Sequence, residues 1–377
     1  MNNNHTSWIE VNKSAILHNI EVFQKVIGPK TKLMAVVKSN AYGHGMVNVA
    51  TFCEESTLVN YLGVVNLHEA LLLRKTGITL PILVLSYFNQ DDIHHAIQND
   101  IDLPVYDFFM AELIDETARS INQVARIHIK IDTGTTRLGI LSKDSLEFVQ
   151  KAKKLKHLEI IGVFTHFADS ENKNQTFTNK QIKEFNSQVS KIRKARIKIS
   201  LFHAGCSAST LINKKSHFDL VRTGIGLYGL WPSEDAKKLT KGIVALEPAL
   251  SWKAKIIQKK EIKAGTPVGY GCTVRVKKTT KIAVLPVGYY EGYSRLLSNS
   301  GQVLIRGKRC PIIGRVCMNL MMVDITRLKE VSYEDEVVIL GRQGKDEISA
   351  EEIAKRSKTI NYEVVTKINP LLPREYI

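Results

Sequence analysis

Cysteine is scarce in this chain. Cys53, Cys206, Cys272, Cys310 and Cys317 are scattered, odd in number and form no CxxC pair. That argues against a disulfide framework or a zinc site and fits a reducing compartment. No metal centre is expected. No apolar run approaches the length of a membrane-spanning helix, so no membrane partner is expected. The opening Met-Asn-Asn-Asn-His-Thr-Ser has neither a basic start nor an apolar core. It does not read as an export signal, and the expected location is the cytoplasm. No GxGxxG fingerprint follows a candidate strand, which argues against a doubly wound dinucleotide-binding sheet. Internal repeats and low-complexity linkers are also missing. Acidic residues are the remaining deficit: 37 against 53 Lys and Arg, for a net charge of +16. Such a balance can mark nucleic acid or a membrane surface. The densest basic cluster is Lys191, Arg193, Lys194, Arg196 and Lys198. No aromatic residue alternates with these charges, so no stacking platform for single strands is visible. We read the cluster as a solvated basic face and expect no nucleic-acid partner.

What is present fits a globular protein. At 377 residues the chain exceeds a typical single core, so one large and one smaller domain are expected. Short apolar runs alternate with amphipathic stretches from about residue 30 to 230. Candidate strands are Leu33–Val37, Leu62–Val65, Ile82–Leu85, Pro104–Tyr106, Ile127–Ile131, Ile160–Thr165, Leu201–His203 and Leu220–Arg222. Candidate helices include Ala15–Lys25, Asn66–Thr76, Gln90–Asn99, Phe108–Arg119, Ser142–Lys153 and Lys180–Lys194. Eight strand–helix units in about 200 residues read as an α/β fold, a (β/α)8 barrel of the TIM type. After about residue 245, Ser251–Ile262, Lys281–Val287, Gly301–Arg306, Val316–Ile325 and Glu336–Leu340 read as strands of a mainly β domain. Ser349 and Glu352 form a capping-box pattern for a short helix, Ser349–Lys355. The expected domains are 12–242 and 243–377, with the N-terminal strand (1–11) joining the second.

Polar residues fall where a barrel places its chemistry. Lys38, Lys130 with Asp132, His166, His203 with Ser207, and Arg222 with Gly224 lie at or just past strand ends. The first of these is the most informative. The apolar run Leu33–Val37 stops at Lys38, inside Ala35-Val-Val-Lys-Ser-Asn-Ala-Tyr-Gly-His-Gly45. Burial at a strand end favours the neutral amine of a lysine, which can form a Schiff base. Gly43 and Gly45 then break regular structure, and Tyr42 offers a phenol.

This string closely resembles the cofactor-lysine segment of alanine racemases, which use pyridoxal phosphate (PLP). Other segments resemble the same family in order. They are Trp8–Asn19, Asp132-Thr-Gly-Thr-Thr-Arg-Leu-Gly139, Thr165–Ala168 and Arg222-Thr-Gly-Ile-Gly-Leu-Tyr-Gly229. Val268–Gly271, Gly288–Tyr293, Gly314–Met318 and Ile360–Glu363 continue the series. The resemblance implies interconversion of L-alanine and D-alanine by two-base proton transfer on a PLP external aldimine, supplying D-alanine for cell-wall peptidoglycan. Lys38 and Tyr270 would be the two bases. A free tyrosine titrates near 10; a chain from Tyr270 to His166 to Arg222 would stabilise its phenolate. Arg222 would face the pyridine nitrogen and leave it unprotonated, because arginine keeps its proton. Ser207, the backbone amides of Gly224 and Ile225, and the phenols of Tyr42 and Tyr362 would grip the phosphate. Arg137 would hold the substrate carboxylate or the ring oxygen of the cofactor, and Met318 would offer its backbone amide to the carboxylate. Lys130 resembles a position carbamylated in some members. The family also implies a homodimer in which Tyr270 and Met318 act on the Lys38 of the other subunit.

Several residues depart from the usual family pattern: Asn319, Thr135-Thr136, Gly205-Cys206 and Tyr290-Glu291. All flank the expected site and bear on substrate preference and entrance charge. A racemase preferring serine is the nearest alternative, since one hydroxyl is weakly discriminated. A non-catalytic PLP carrier would lack the second domain and Tyr270. A nucleic-acid-binding module would rest on net charge alone.

Overall fold

The computed structural model describes residues 5–377. The first four residues, on which part of the export-signal reading rests, lie outside them. The chain divides into two compact units. One comprises Ala15–Ala41 and Met46–Glu247; the other comprises the segment up to Ser14, Tyr42–Gly45 and Pro248–Ile377.

The larger unit is a closed parallel barrel. Its strands are, in order, Lys32–Val36, Tyr61–Val64, Ile82–Val84, Ile101–Val105, Ala125–Asp132, Leu158–Phe164, Leu201–Cys206 and Leu220–Thr223. Each pairs in parallel with the next. The eighth closes on the first, Val221 opposite Leu33 and Thr223 opposite Ala35. The near-continuous apolar runs follow from this closure, because a barrel strand is buried on both faces. Met34, Tyr61, Leu83, Ile161, Leu201 and Leu220 pack as one buried cluster. The outer helices are built from local signals. In the helix Leu67–Lys75, for example, Asn66 caps by accepting from the Glu69 backbone N–H at 3.0 Å. The expected helix from Lys180 begins earlier, at Thr176, and runs to Lys194. The fourth strand also begins earlier than the apolar pattern predicts, at Ile101 rather than Pro104, because a buried Asp102 interrupts the run.

The second unit is mainly β. Its largest sheet has the order Lys308–Pro311, Gln302–Ile305, Glu336–Gln343, Leu250–Lys255, Ser7–Val11, Arg374–Tyr376, with Asp346–Ile348 paired to Glu336–Gln343. Ser7–Val11 pairs antiparallel with Leu250–Lys255, Ile9 opposite Trp252. Gln258–Ile262, Thr280–Leu285 and Met321–Asp324 form a second sheet, and Pro267–Val268 with Val274–Arg275 forms a small ribbon. Two expected strands are corrected. Ser251–Ile262 splits into Leu250–Lys255 and Gln258–Ile262, which serve different sheets. The break falls where Ile256 is buried and the adjacent Ile257 is exposed, two apolar residues in succession that end the alternation. Of Val316–Ile325, only Met321–Asp324 is strand; the preceding residues form a loop tied by the Cys317 N–H to the Leu320 carbonyl at 2.9 Å. Ser349 caps its helix as expected, accepting from the Glu352 N–H at 3.1 Å. Among the described residues no helix is long and apolar enough to cross a membrane, and no cluster of His, Cys, Asp or Glu is placed to hold a metal ion.

Candidate active site

The first barrel strand leads directly into an unusual turn. Beyond Lys38, Ser39, Asn40, Ala41 and Tyr42 all have φ between 52° and 55°. Left-handed backbone costs about 1–2 kcal/mol for each ordinary residue, and here four occur in succession. Their hydrogen bonds hold the turn. The Ala41 N–H donates to the Val37 carbonyl at 2.8 Å. The Ser39 N–H donates to Glu69 Oε1 at 2.7 Å, while Glu69 Oε2 accepts from the Val65 N–H at 2.9 Å. Asn40 Oδ1 accepts from the Met46 N–H at 3.0 Å. Strain of this kind concentrates where a side chain must be aimed, and the side chain aimed here is Lys38. Burial lowers the pKa of its amine, the charge of Arg137 lowers it further, and Glu69 opposes both.

The other strand ends add charge of the same sign. Lys130 is buried, and its pKa is lowered to about 8 by burial and by Arg137 and Arg222, against the pull of Asp132. Asp132 is occupied with backbone: its Oδ1 accepts from the N–H groups of Gly134, Thr135 and Thr136 at 2.8, 2.9 and 3.2 Å. That nest shapes the loop that carries Arg137. Thr135, one of the unusual residues, donates its hydroxyl to the His166 carbonyl at 2.5 Å. The His166 imidazole is held well below its ordinary pKa by burial, then by Arg222, Arg137, Lys130 and Lys38. Lys38, Lys130, Arg137, His166 and Arg222 therefore share one electropositive site at the carboxyl ends of the strands.

Arg222 is buried and heavily bonded. Nη2 donates to the Thr165 carbonyl at 2.7 Å and the Ala204 carbonyl at 3.0 Å, and lies 3.3 Å from His166 Nδ1. Nη1 lies 2.8 Å from His203 Nδ1. Burial lowers its pKa to about 10, which leaves it charged near neutrality. Beyond it the chain turns through Gly224. The N–H groups of Gly224 and Gly226 donate to Ser207 Oγ at 2.9 and 3.3 Å. A hydroxyl that accepts twice keeps its own proton for a third partner. Ile225 is buried between these two glycines.

Four expected site residues belong to the second unit. Tyr42 and Tyr362 lie together there, ring centroids 6.2 Å apart. Tyr270 is 72% exposed, between Gly269 at φ 70° and Gly271 at φ 73°. A Cβ on Gly269 would lie 2.8 Å from Met322 Cε, and one on Gly271 would lie 2.7 Å from Arg315 Nη1. Both contacts are to flexible side-chain ends, so it is the backbone that favours glycine: Gly269, at ψ −172°, lies in a region closed to other residues, and Gly271 is left-handed, and between them the tyrosine faces solvent. Met318 is also exposed, and its carbonyl accepts from the Tyr290 N–H at 2.9 Å. Two of the departures are partners: Asn319 Nδ2 donates to Glu291 Oε1 at 2.8 Å. An aspartate at 319 would oppose Glu291 with a second carboxylate.

Sequence reasoning missed three residues around this site. Glu69 lies in the helix Leu67–Lys75 and reaches the turn through its carboxylate. His128 and Asp102 lie inside strands, at Ala125–Asp132 and Ile101–Val105.

The fold and the site define a barrel of the enzyme class, with a cluster of cationic side chains at the carboxyl ends of its strands. The comparisons narrow this. The family described as alanine racemase, N-terminal domain, matches residues 11–232, and the alanine racemase C-terminal domain family matches residues 249–376. The alanine racemase of Methanococcus maripaludis is 41% identical over 374 residues, 99% of each chain. The solved alanine racemase of Clostridium difficile superposes with a TM-score of 0.95 at 34% identity, covering 99% of this chain and 96% of the other. The alanine racemase of Bartonella henselae, solved with covalently bound pyridoxal phosphate, superposes at 0.87 and 26% identity, covering 99% of this chain and 100% of that one. The chain belongs to the alanine racemase family.

Proposed function

We propose that this chain is a PLP-dependent alanine racemase that moves the α-proton of alanine between Lys38 and Tyr270. The observation that carries the reading is the Lys38 amine, with its lowered pKa, on a strained left-handed turn within a cationic site. The residues present fit the cofactor. Lys38 and Lys130 are held below the ordinary lysine pKa by burial and by the charge of Arg137, and Arg222 is buried near them, so an anion among them relieves like-charge repulsion. Ser207 has a hydroxyl proton to give, and the turn through Gly224 and Ile225 suits a phosphate. Tyr42 and Tyr362 supply phenols to the same group. When bound, pyridoxal phosphate takes up the electron pair left as the α-proton departs.

Each protein group then has a defined task. Lys38 holds the cofactor, and its freed amine takes or returns the proton on the D-alanine side. Tyr270 does so on the L-alanine side. Arginine only donates, so Arg222 Nη2 at 3.3 Å assigns His166 Nδ1 as acceptor and leaves the His166 proton on Nε2. That N–H is the donor available to a Tyr270 phenolate. Arg222 faces the ring nitrogen, Arg137 holds the carboxylate or the ring oxygen, and the Met318 amide assists with the carboxylate. Lys130, titrating at about 8, has enough neutral amine near neutrality to take up carbon dioxide. The resulting carbamate would place an anion beside Arg137. We also infer domains of 12–242 and 243–377, a cytoplasmic homodimer with shared sites, and a role in supplying D-alanine to peptidoglycan. Incubation of purified protein with PLP and L-alanine, beside L-serine, tests the reading. D-alanine formation well above D-serine formation is expected; no D-alanine, or faster serine racemisation, overturns it. Tyr270→Phe should cost orders of magnitude in racemisation and slow α-proton exchange from L-alanine more than from D-alanine.

A further inference from the structure

The interior of a TIM-type barrel is ordinarily filled by branched aliphatic side chains. Here a line of polar groups crosses it. Arg222 on the eighth strand lies 2.8 Å from His203 Nδ1 on the seventh. His203 Nε2 lies 3.0 Å from His128 Nδ1 on the fifth. His128 Nε2 lies 3.1 Å from Asp102 Oδ2 on the fourth. His203, His128 and Asp102 are fully buried. The far end is fixed as firmly as the near one: Tyr61 donates its hydroxyl to Asp102 at 3.0 Å, and Arg126 Nε lies 2.8 Å from the other carboxylate oxygen.

The direction of this chain is determined by its ends. Arginine has no acceptor, so His203 Nδ1 must accept, and the His203 proton must sit on Nε2. That N–H donates to His128 Nδ1, so the His128 proton must also sit on Nε2, where it donates to a carboxylate that can only accept. Every bond points from Arg222 toward Asp102. A proton added to His203 Nδ1 would face an arginine N–H, and the imidazole is accordingly held well below its ordinary pKa by burial and by Arg222. Burial pushes the Asp102 carboxyl up, but the bond from His128, the Arg126 charge and the bond from Tyr61 carry it below its usual value.

The surrounding backbone accommodates the line. Gly162 on the sixth strand lies between the two histidine-bearing strands, and a Cβ there would stand 2.3 Å from His128 Nδ1. Phe164 stacks on His203, centroids 4.9 Å apart and planes 5° from parallel. Burying an ion and two imidazoles is weak evidence for added stability, because apolar side chains of similar volume often do as well. A carboxylate at one end does, however, polarise each imidazole and strengthen the acceptor offered at the other.

We propose that Asp102, His128 and His203 are positioning residues that hold the Arg222 guanidinium in one orientation and offset its charge. The inference rests on the reading that Arg222 faces the cofactor ring nitrogen. The relay lets the arginine present a directed N–H to that nitrogen, while the distant carboxylate moderates the positive charge the ring experiences. The other ionisable groups near Arg222 are the basic side chains His166, Lys130, Lys38 and Arg137 and the Cys206 thiol, the one group there whose ionised form carries negative charge.

Two measurements test the relay. In cofactor-free protein labelled with 15N-histidine, His203 and His128 should both carry a proton on Nε2 and none on Nδ1. A proton on Nδ1 of either ring overturns the proposal, and this needs no variant. In PLP-loaded protein, Asp102→Asn should move the pH midpoint of the bound cofactor's visible absorbance downward by about half a unit or more, because a negative charge has been removed. It should lower kcat about tenfold with KM changed less than threefold. Arg222→Gln separates the two levels of inference. If it leaves the midpoint in place, Arg222 does not face the ring and the underlying reading fails. If it moves the midpoint and Asp102→Asn does not, the relay alone is wrong.

Discussion

Lys130 shows how much of this site is legible in single residues. A lysine beside an aspartate at a strand end was visible in the sequence; its burial and its cationic neighbours were not. Its pKa of about 8 against 10.5 for an ordinary lysine corresponds to on the order of 3 kcal/mol of native-state penalty. Below pH 8 the lysine is charged in both the folded and unfolded states, and the full penalty is present. Between pH 8 and 10.5 the folded protein has released the proton and the unfolded chain has not, so the penalty shrinks. Above 10.5 it is gone. Lys130→Met should therefore make the cofactor-free protein more stable than the parent at pH 7, by up to roughly that amount, with the gap closing toward pH 10.5. Denaturant unfolding of both proteins in buffer free of carbon dioxide measures this. An unchanged gap across that range would show that Lys130 is not desolvated. The relay residues were less legible for a related reason. A histidine or aspartate inside an apolar run carries no signal of where its partner lies, and Asp102 meets His128 only because the fourth and fifth strands are neighbours in the barrel.

Elements with a clear period were predictable, and those set by contact with other segments were not. All eight barrel strands overlap expected apolar runs, the fourth only at Pro104 and Val105, because burial on both faces leaves a largely continuous signature. The failures occurred where the chain changes sheet, at Ile256–Ile257, and where a loop wears apolar residues, at Val316–Leu320. The left-handed turn after Lys38 was hidden because glycine marks such backbone in sequence, whereas Ser39 and Asn40 adopt it here through hydrogen bonds to Glu69 and Met46. The turn makes a test at this scale. Ser39 is exposed and contributes its backbone N–H to Glu69, so Ser39→Gly keeps that bond and relieves the φ strain. It should raise the unfolding free energy by about 1 kcal/mol. Asn40→Ala loses the bond to the Met46 N–H and worsens the strain, and it should lower stability by about the same amount. Denaturant midpoints of the two variants would diverge in opposite directions. Ser39→Gly falling below the parent would show that the turn is not strained.

At the scale of the whole molecule, the proposed bases belong to different compact units: Lys38 follows the first barrel strand, and Tyr270 sits on the tip of the Pro267–Arg275 ribbon. The ribbon presents Tyr270 outward, and Met318 is likewise exposed, in a protein whose large hydrophobic residues are mostly buried. An exposed aromatic flanked by two glycines at positive φ is suited to reach a neighbouring molecule. In the proposed homodimer the tyrosine of one subunit serves the lysine of the other about a twofold axis. The two arrangements differ in what mixed subunits can do. Lys38→Ala and Tyr270→Phe proteins should each be nearly inactive alone. After subunit exchange, a mixed dimer with sites shared between chains contains one site that has both bases and one that has neither. Random mixing makes half of the dimers mixed, so about a quarter of the parent activity should return. If each site instead drew both bases from a single chain, every site in the mixture would lack one base. Exchange demonstrated by a mass or fluorescence label, with no activity regained, would therefore rule out the shared site and assign both bases to one subunit.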